Sequence, residues 1–134
     1  MKRFEYTLQI KEFHLDTFGH VNNATYLQIY EEARWDFITA GGFGLDRIRR
    51  DLVGPVILEA NVKFKRELVN RELIRIISES GPVVANRIMT INQQMLKSDG
   101  KIASEAVFTV GIMDLKERKL IGPSDEWLKA CGYE

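Results

Sequence analysis

The sequence predicts an α+β domain in which one antiparallel sheet wraps one long central helix. Three features carry that prediction: an extended amphipathic helix after the first strand, a run of period-two stretches after it, and short links between those stretches. Consecutive strands with short links favour antiparallel pairing, because each parallel pair needs a long crossover. At 134 residues the chain fits a single domain, residues 1–134, long enough to bury a core unaided.

The elements follow in order. Phe4, Tyr6, Leu8 and Ile10 alternate with Glu5, Thr7, Gln9 and Lys11, the pattern of a half-buried strand. A turn containing Asp16, Thr17, Gly19, Asn22 and Asn23 leads into the helix. There Tyr26, Leu27, Tyr30, Ala33, Arg34, Phe37 and Ile38 share one face, while Gln28, Glu32 and Asp36 fall opposite. Asn22 or Asn23 suits the N-cap, and Gly41-Gly42 ends the helix through the left-handed conformation open to glycine. Residues 41–55 read as an irregular connector or flap, with a short helical turn near Leu45 to Leu52 and Gly54-Pro55 as a breaker.

Alternation then returns. Val56, Leu58, Ala60, Val62 and Phe64 share one face, and Glu59, Asn61, Lys63 and Lys65 the other. Leu73 to Glu79 is a further strand, closed by Ser80-Gly81-Pro82, and the next runs from about Ala85 to Lys97. Ser98-Asp99-Gly100 is a hairpin signal before the returning strand from Lys101 to Met113. After a charged turn and the apolar pair Leu120-Ile121, Ser124 can cap a short helix carrying Trp127 and Leu128.

Composition narrows the function classes. Hydrophobic residues at 45% and charged ones at 28% are ordinary for a globular domain, which argues against disorder. Nineteen basic residues balance nineteen acidic ones, so no net field favours nucleic acid or an anionic membrane. Cys131 is alone, with no internal disulfide and no metal-ligand spacing, which fits a reducing cytoplasm. Charges interrupt every apolar run of the N-terminal stretch, so it reads neither as a signal peptide nor as a span.

Candidate chemistry gathers before the helix. Asp16 is either a turn-forming Asx residue or a catalytic carboxylate beside the positive end of a helix. In the second role the parts suit acyl transfer: the carboxylate attacks or activates water, while N–H groups from Gly19 to Asn23 hold the developing oxyanion. Gly19 allows close backbone approach, and His20 acts as a base, orients Asp16, or is a buried structural histidine. Asn22 and Asn23 divide evenly between capping and catalysis. Glu32 with Asp36 reads as a solvated face, and Arg34 as a structural anchor paired with a carboxylate. Lys63, Lys65 and Arg66 are either a solvated face or contacts for a phosphate-bearing thiol carrier. Phe13, Phe18, Tyr26 and Tyr30 are core by default, or lining for an acyl channel. No G-x-S-x-G elbow is present.

The runs His14-Leu15-Asp16, Gly19-His20-Val21-Asn22-Asn23-Ala24, Tyr26-Leu27 and Glu31-Glu32-Ala33-Arg34-Trp35-Asp36 resemble the hotdog-fold acyl-CoA thioesterases. The resemblance is to the 4-hydroxybenzoyl-CoA thioesterase group and, within it, the FadM-type long-chain enzymes. The HVNN element is also similar to that of plant acyl-ACP thioesterases. It implies two protomers paired edge to edge, as a dimer or tetramer, with active sites at the interface. It puts the catalytic carboxylate on Asp16 and the oxyanion-binding amide on Asn23, with Tyr26 and Glu31 near the partner subunit. No metal or redox cofactor is implied. The sequence departs from the pattern at Gly19, where FadM-type chains tend to carry Gln, at Glu67, where Pro is common, and at Asn70-Arg71. The expected function is hydrolysis of acyl-CoA to free acid and CoA. A hotdog hydratase, an acyl-ACP thioesterase and a non-catalytic acyl-binding protein are the competing readings.

Overall fold

The computed structural model describes all residues, 1–134. The aromatic stripe of the central helix α1, Asn23–Ala40, sets where everything else packs. Tyr26, Ile29, Tyr30, Ala33, Phe37 and Ile38 are buried on it. They meet the inner faces of β3, β4 and β5 (Leu73–Val84, Ile88–Leu96 and Ile102–Asp114) through Ile74, Ile76, Met89, Ile91, Met95, Ala106, Phe108 and Val110. Burying each large apolar side chain contributes about 1.5–3 kcal/mol, so this one helix face anchors the fold. Leu27, placed on the stripe by spacing, is 43% exposed, and Ile29 takes the buried position instead.

The sheet is antiparallel throughout, ordered β1-β3-β4-β5-β2, with β1 Arg3–Gln9 and β2 Val53–Phe64 as its edges. The short strand β6, Lys119–Ile121, pairs with β5 beyond the point where β4 starts. Helix α2, Leu45–Asp51, fills the stretch expected to be a flap, and α3, Asp125–Ala130, is capped by the Ser124 side chain as expected. No helix is long and apolar enough to cross a membrane.

Four details depart from the sequence pattern, each with a local cause. Gly54-Pro55 does not break the chain but lies inside β2. An edge strand tolerates a proline, whose missing N–H removes no ladder bond on the open side. The alternation of β2 slips at Leu58, where a bulge separates Ile57, opposite Val110, from Glu59, opposite Thr109. Pro55 and Ile57 therefore share the inner face with Ala60, Val62 and Phe64, and Leu58 turns outward. Likewise β3 runs through Gly81-Pro82, because two residues there face the single Thr90 of β4. A Cβ on Gly81 would lie 2.1 Å from Thr90 Oγ1, so any larger residue there would force the Thr90 side chain to shift. The turn falls instead at Ala85-Asn86, both at positive φ. At the end of α1, Gly41 has φ −81° and Gly42 φ +95°, so only Gly42 is left-handed. Gly41 is required by contact, since its Cβ would meet Ala130 Cβ of α3 at 2.5 Å.

Candidate active site

The loop from Leu15 to Asn22 closes on itself through a lone antiparallel bridge between Leu15 and Val21. Asp16 N–H donates to His20 O at 2.8 Å, and Asp16 Oδ1 accepts from Phe18 N–H at 2.8 Å and His20 N–H at 3.4 Å. This is an Asx turn, and it fixes the carboxylate by one oxygen while Oδ2 takes no bond within the chain. The turn needs Gly19 for its φ of +83°, not for crowding, because nothing lies within 4 Å of the Cβ position.

Asn22 is the N-cap of α1, its side chain accepting from Ala24 N–H at 2.9 Å. Asn23 opens the helix and its own Oδ1 shares that same N–H at 2.9 Å. The N–H groups of Gly19, His20 and Asn22 are already bonded, to Asp16 O, Asp16 Oδ1 and His14 O. Of the expected donor loop, that leaves Val21 and Asn23 N–H for a ligand. Asn23 N–H also sits at the positive end of the 18-residue α1 dipole.

An open groove of about 420 Å³ joins these groups: Asp16, His20, Val21, Asn23 and Tyr26 on one wall, Phe64, Lys65, Arg66 and Glu67 on the other. Tyr26 packs edge-on against Phe64, ring centres 4.9 Å apart. The His20 imidazole reaches Glu67 Oε2 at 2.7 Å, both side chains at least half exposed. His20 is thus neither a buried histidine nor a side chain that orients Asp16, which it meets through its backbone; its imidazole lies in the groove. Lys65 is held by Glu105 at 3.1 Å, and Arg66 has no ion pair.

His14, on the other side of Asp16 in sequence, is the buried histidine. Its Nδ1 accepts from Lys11 N–H at 2.9 Å, and burial, which outweighs nearby Glu32, holds its pKa below the usual value. Behind the groove, Glu72 and Lys97 pair at 3.0 Å with side chains only 6% and 17% exposed. Burial raises the Glu72 pKa, but Lys97 and the N–H groups of Ser98 and Val69 outweigh it, so the net shift is downward. Lys97 Nζ also donates to Glu67 O, which ties the connector carrying Arg66 and Glu67 to the sheet.

Not every predicted site residue arrives here. Lys63 points to the outer face of the sheet, lining a separate polar groove with Glu59, Asn61 and Glu105. Glu31 lies at the middle of α1, on a separate cavity with Arg34. Phe13 and Phe18 are 77% and 84% exposed, so neither is core. Glu32 and Asp36 are exposed as expected, and Glu32 also accepts a hydrogen bond from Tyr6 OH. Arg34 is buried without a carboxylate, bonded to Gln93 Oε1 at 2.9 Å and stacked 4.2 Å over the Phe108 ring. Glu67 and Gln93 are the partners sequence reasoning missed: Gln93 interrupts the apolar face Met89, Ile91, Met95 of β4, a signal that could have marked it, whereas Glu67 leaves none, and both act through contacts distant in sequence.

One long helix wrapped by a single antiparallel sheet is the arrangement of the hotdog fold. Residues 12–131 match the Thioesterase-like superfamily. The chain belongs to that superfamily, a family of thioester hydrolases. It is 27% identical to the long-chain acyl-CoA thioesterase FadM of Escherichia coli (strain K12) over 119 residues, 89% of each chain. Among solved structures it is similar to the YbaW probable thioesterase from Escherichia coli, at TM-score 0.81 and 26% identity, covering 94% of both chains. A Staphylococcus aureus protein crystallised in complex with CoA superposes at TM-score 0.89 with 16% identity, covering 96% of this chain and 81% of that one, a likeness of fold.

Proposed function

We propose that this chain is a cytoplasmic acyl-CoA thioesterase that hydrolyses an acyl-CoA to the free acid and CoA. The observation that carries the reading is the juxtaposition of Asp16, with Oδ2 free, and Asn23 N–H, unbonded at the start of α1, in one groove. The thioester carbonyl oxygen accepts from Asn23 N–H, and the Asp16 carboxylate either attacks the carbonyl carbon or takes a proton from the attacking water. In the first route CoA thiolate leaves an acyl–Asp16 anhydride that water then cleaves to the free acid; in both, a proton taken from the attacking water ends on the departing CoA sulfur. Gly19 and Asn22 shape the loop. His20, held by Glu67, places a second titratable group at the rim. Arg66 and Lys65 offer cations to the phosphates of CoA, and Tyr26 with Phe64 flanks the start of the acyl chain. The likeness to a long-chain acyl-CoA thioesterase and to a CoA-bound fold supports the CoA half of the reading.

The acyl chain has a path. The seam between α1 and the inner face of β2 starts at Tyr26 and Phe64, passes exposed Ala60, and ends at the cavity of Arg34, Trp35, Pro55 and Ile57. The unpaired edge of β2 exposes Ile57, Leu58 and Phe64. A long apolar edge of this kind is paired in stable proteins, and a second copy of the chain placed there makes a homodimer, the unit of any tetramer, and covers the seam.

The test is thiol release by wild-type protein from acetyl-, dodecanoyl- and benzoyl-CoA, with sedimentation to read the oligomer. Hydrolysis strongest on dodecanoyl-CoA by a dimer or tetramer is the expected result. Release from dodecanoyl carrier protein alone would move the assignment to an acyl-ACP thioesterase. Binding without release from any thioester would make it an acyl-binding protein and end the catalytic reading.

A further inference from the structure

The far end of the seam holds a buried charge with no ion-pair partner in the chain, answered only by the Phe108 ring beneath it and, through space, by Glu31. Arg34 is nine-tenths buried, its only hydrogen bond goes to the neutral amide of Gln93, and no carboxylate lies within ion-pair distance. Glu31 lines the rim of the same cavity without pairing to it. Every fully buried side-chain nitrogen and oxygen of the chain has a partner, so the unbonded donors of this guanidinium are those that open onto the cavity. That cavity, about 90 Å³, is otherwise apolar, walled by Trp35, Ile38, Ile57, Ile91, Val110 and Trp127. It has room for a few waters, or for a carboxylate with a methylene or two.

A buried cation is costly unless something answers it. The Phe108 ring answers part of it, and the donors that face the cavity are left to solvent until a ligand enters. An acyl tail ending in a methyl group displaces that solvent and leaves the donors bare, whereas a tail ending in a carboxylate replaces it with a charge-assisted bond. Arg34 follows Asn23 by eleven residues, hence lies about 16 Å along the helix from the thioester end, a span covered by an extended chain of roughly a dozen carbons. The geometry points to a specificity site: Arg34 selects long acyl groups whose far end carries a carboxylate. It rests on the acyl-thioester reading above for the direction of the chain, but not on hydrolysis.

Thioether analogues of CoA, in which a methylene replaces the thioester carbonyl, bind without being cleaved. Three of equal length, ending in methyl, carboxylate and ammonium, are titrated against the wild-type protein. The readout is fluorescence from Trp35 and Trp127, the only two tryptophans, both in the cavity wall. The carboxylate tail is expected to bind about tenfold more tightly than the methyl tail, with the ammonium tail weakest. Arg34→Gln levels the three, and Arg34→Lys keeps the order with a smaller spread. Equal or tighter binding of the methyl tail to wild-type protein overturns the inference even if both variants fail to fold, and so does an unchanged order in folded Arg34→Gln. Failure of wild type to hydrolyse any thioester while the order holds removes the catalytic reading alone. Hydrolysis with a methyl-tail preference removes this one alone.

Discussion

At the head end of the α1–β2 seam, Asp16, His20 and Glu67 keep their polar groups open to solvent; at the tail end Arg34 is nine-tenths buried. The head end is held by an exposed turn and by side-chain pairs that contribute little to stability. The tail end sits in a polar thread through the core, Arg34 to Gln93, Gln93 to Ser78 and Tyr30 O, and Tyr30 OH to Ser104 at 2.8 Å. Such a thread is fully bonded within the protein only up to Arg34. A reacting end can be built from groups that fold cheaply, whereas a recognising end must bury its group and then wait for the ligand to complete it.

The contrast is broken most strongly by loosening the support of the head end. Glu72→Ala strands the buried Lys97 ammonium, and the fold is expected to lose about 3 kcal/mol, read as a lowered denaturation midpoint. The connector bearing Arg66 and Glu67 loosens with it. Filling the middle of the seam separates the two ends without touching either. Ala60→Phe should lower kcat/KM for dodecanoyl-CoA by about tenfold and leave acetyl-CoA unchanged. Equal losses on both substrates would place the acyl path elsewhere.

Smaller effects sharpen the comparison. Gly19→Ala forces a Cβ residue to φ +83° with open space around it, so the expected cost is about 1 kcal/mol, visible in thermal denaturation. Least of all is the pH effect of His14. Burial keeps its folded-state pKa below 6.5, so on acidification the unfolded chain takes the proton first. Stability therefore falls as the pH drops below about 6.5 and levels off below the folded-state value. His14→Gln should flatten that part of the profile of Tm against pH. An unchanged slope would assign it to carboxylates instead.

Much of this was legible in the chain. Alternation in β1, β4 and β5 and the aromatic spacing of α1 report which face is buried, and those faces match. The slips came where a glycine or proline was read as a stop. Gly54, Pro55, Gly81 and Pro82 lie within strands, because an edge position and a bulge supply what each residue lacks. At the site, Asp16, Gly19, Asn22 and Asn23 are neighbours in sequence, and their turn and cap chemistry could be read locally. Which histidine is buried could not, since His14 and His20 flank Asp16 alike and differ only in what folds over them. The bulge at Leu58 and the bond His20–Glu67 join distant residues and leave no local pattern, and the bond Arg34–Gln93 leaves only the polar break in the apolar face of β4.

The most direct test of the central claim is turnover of dodecanoyl-CoA by Asp16→Ala and Asp16→Asn beside the wild type, each first shown to keep the wild-type Tm within a few degrees. If the Asp16 carboxylate performs the chemistry, both variants lose at least about a hundredfold in kcat with KM little changed. Turnover near the wild-type value in either folded variant would contradict the account and leave Asp16 a turn residue only.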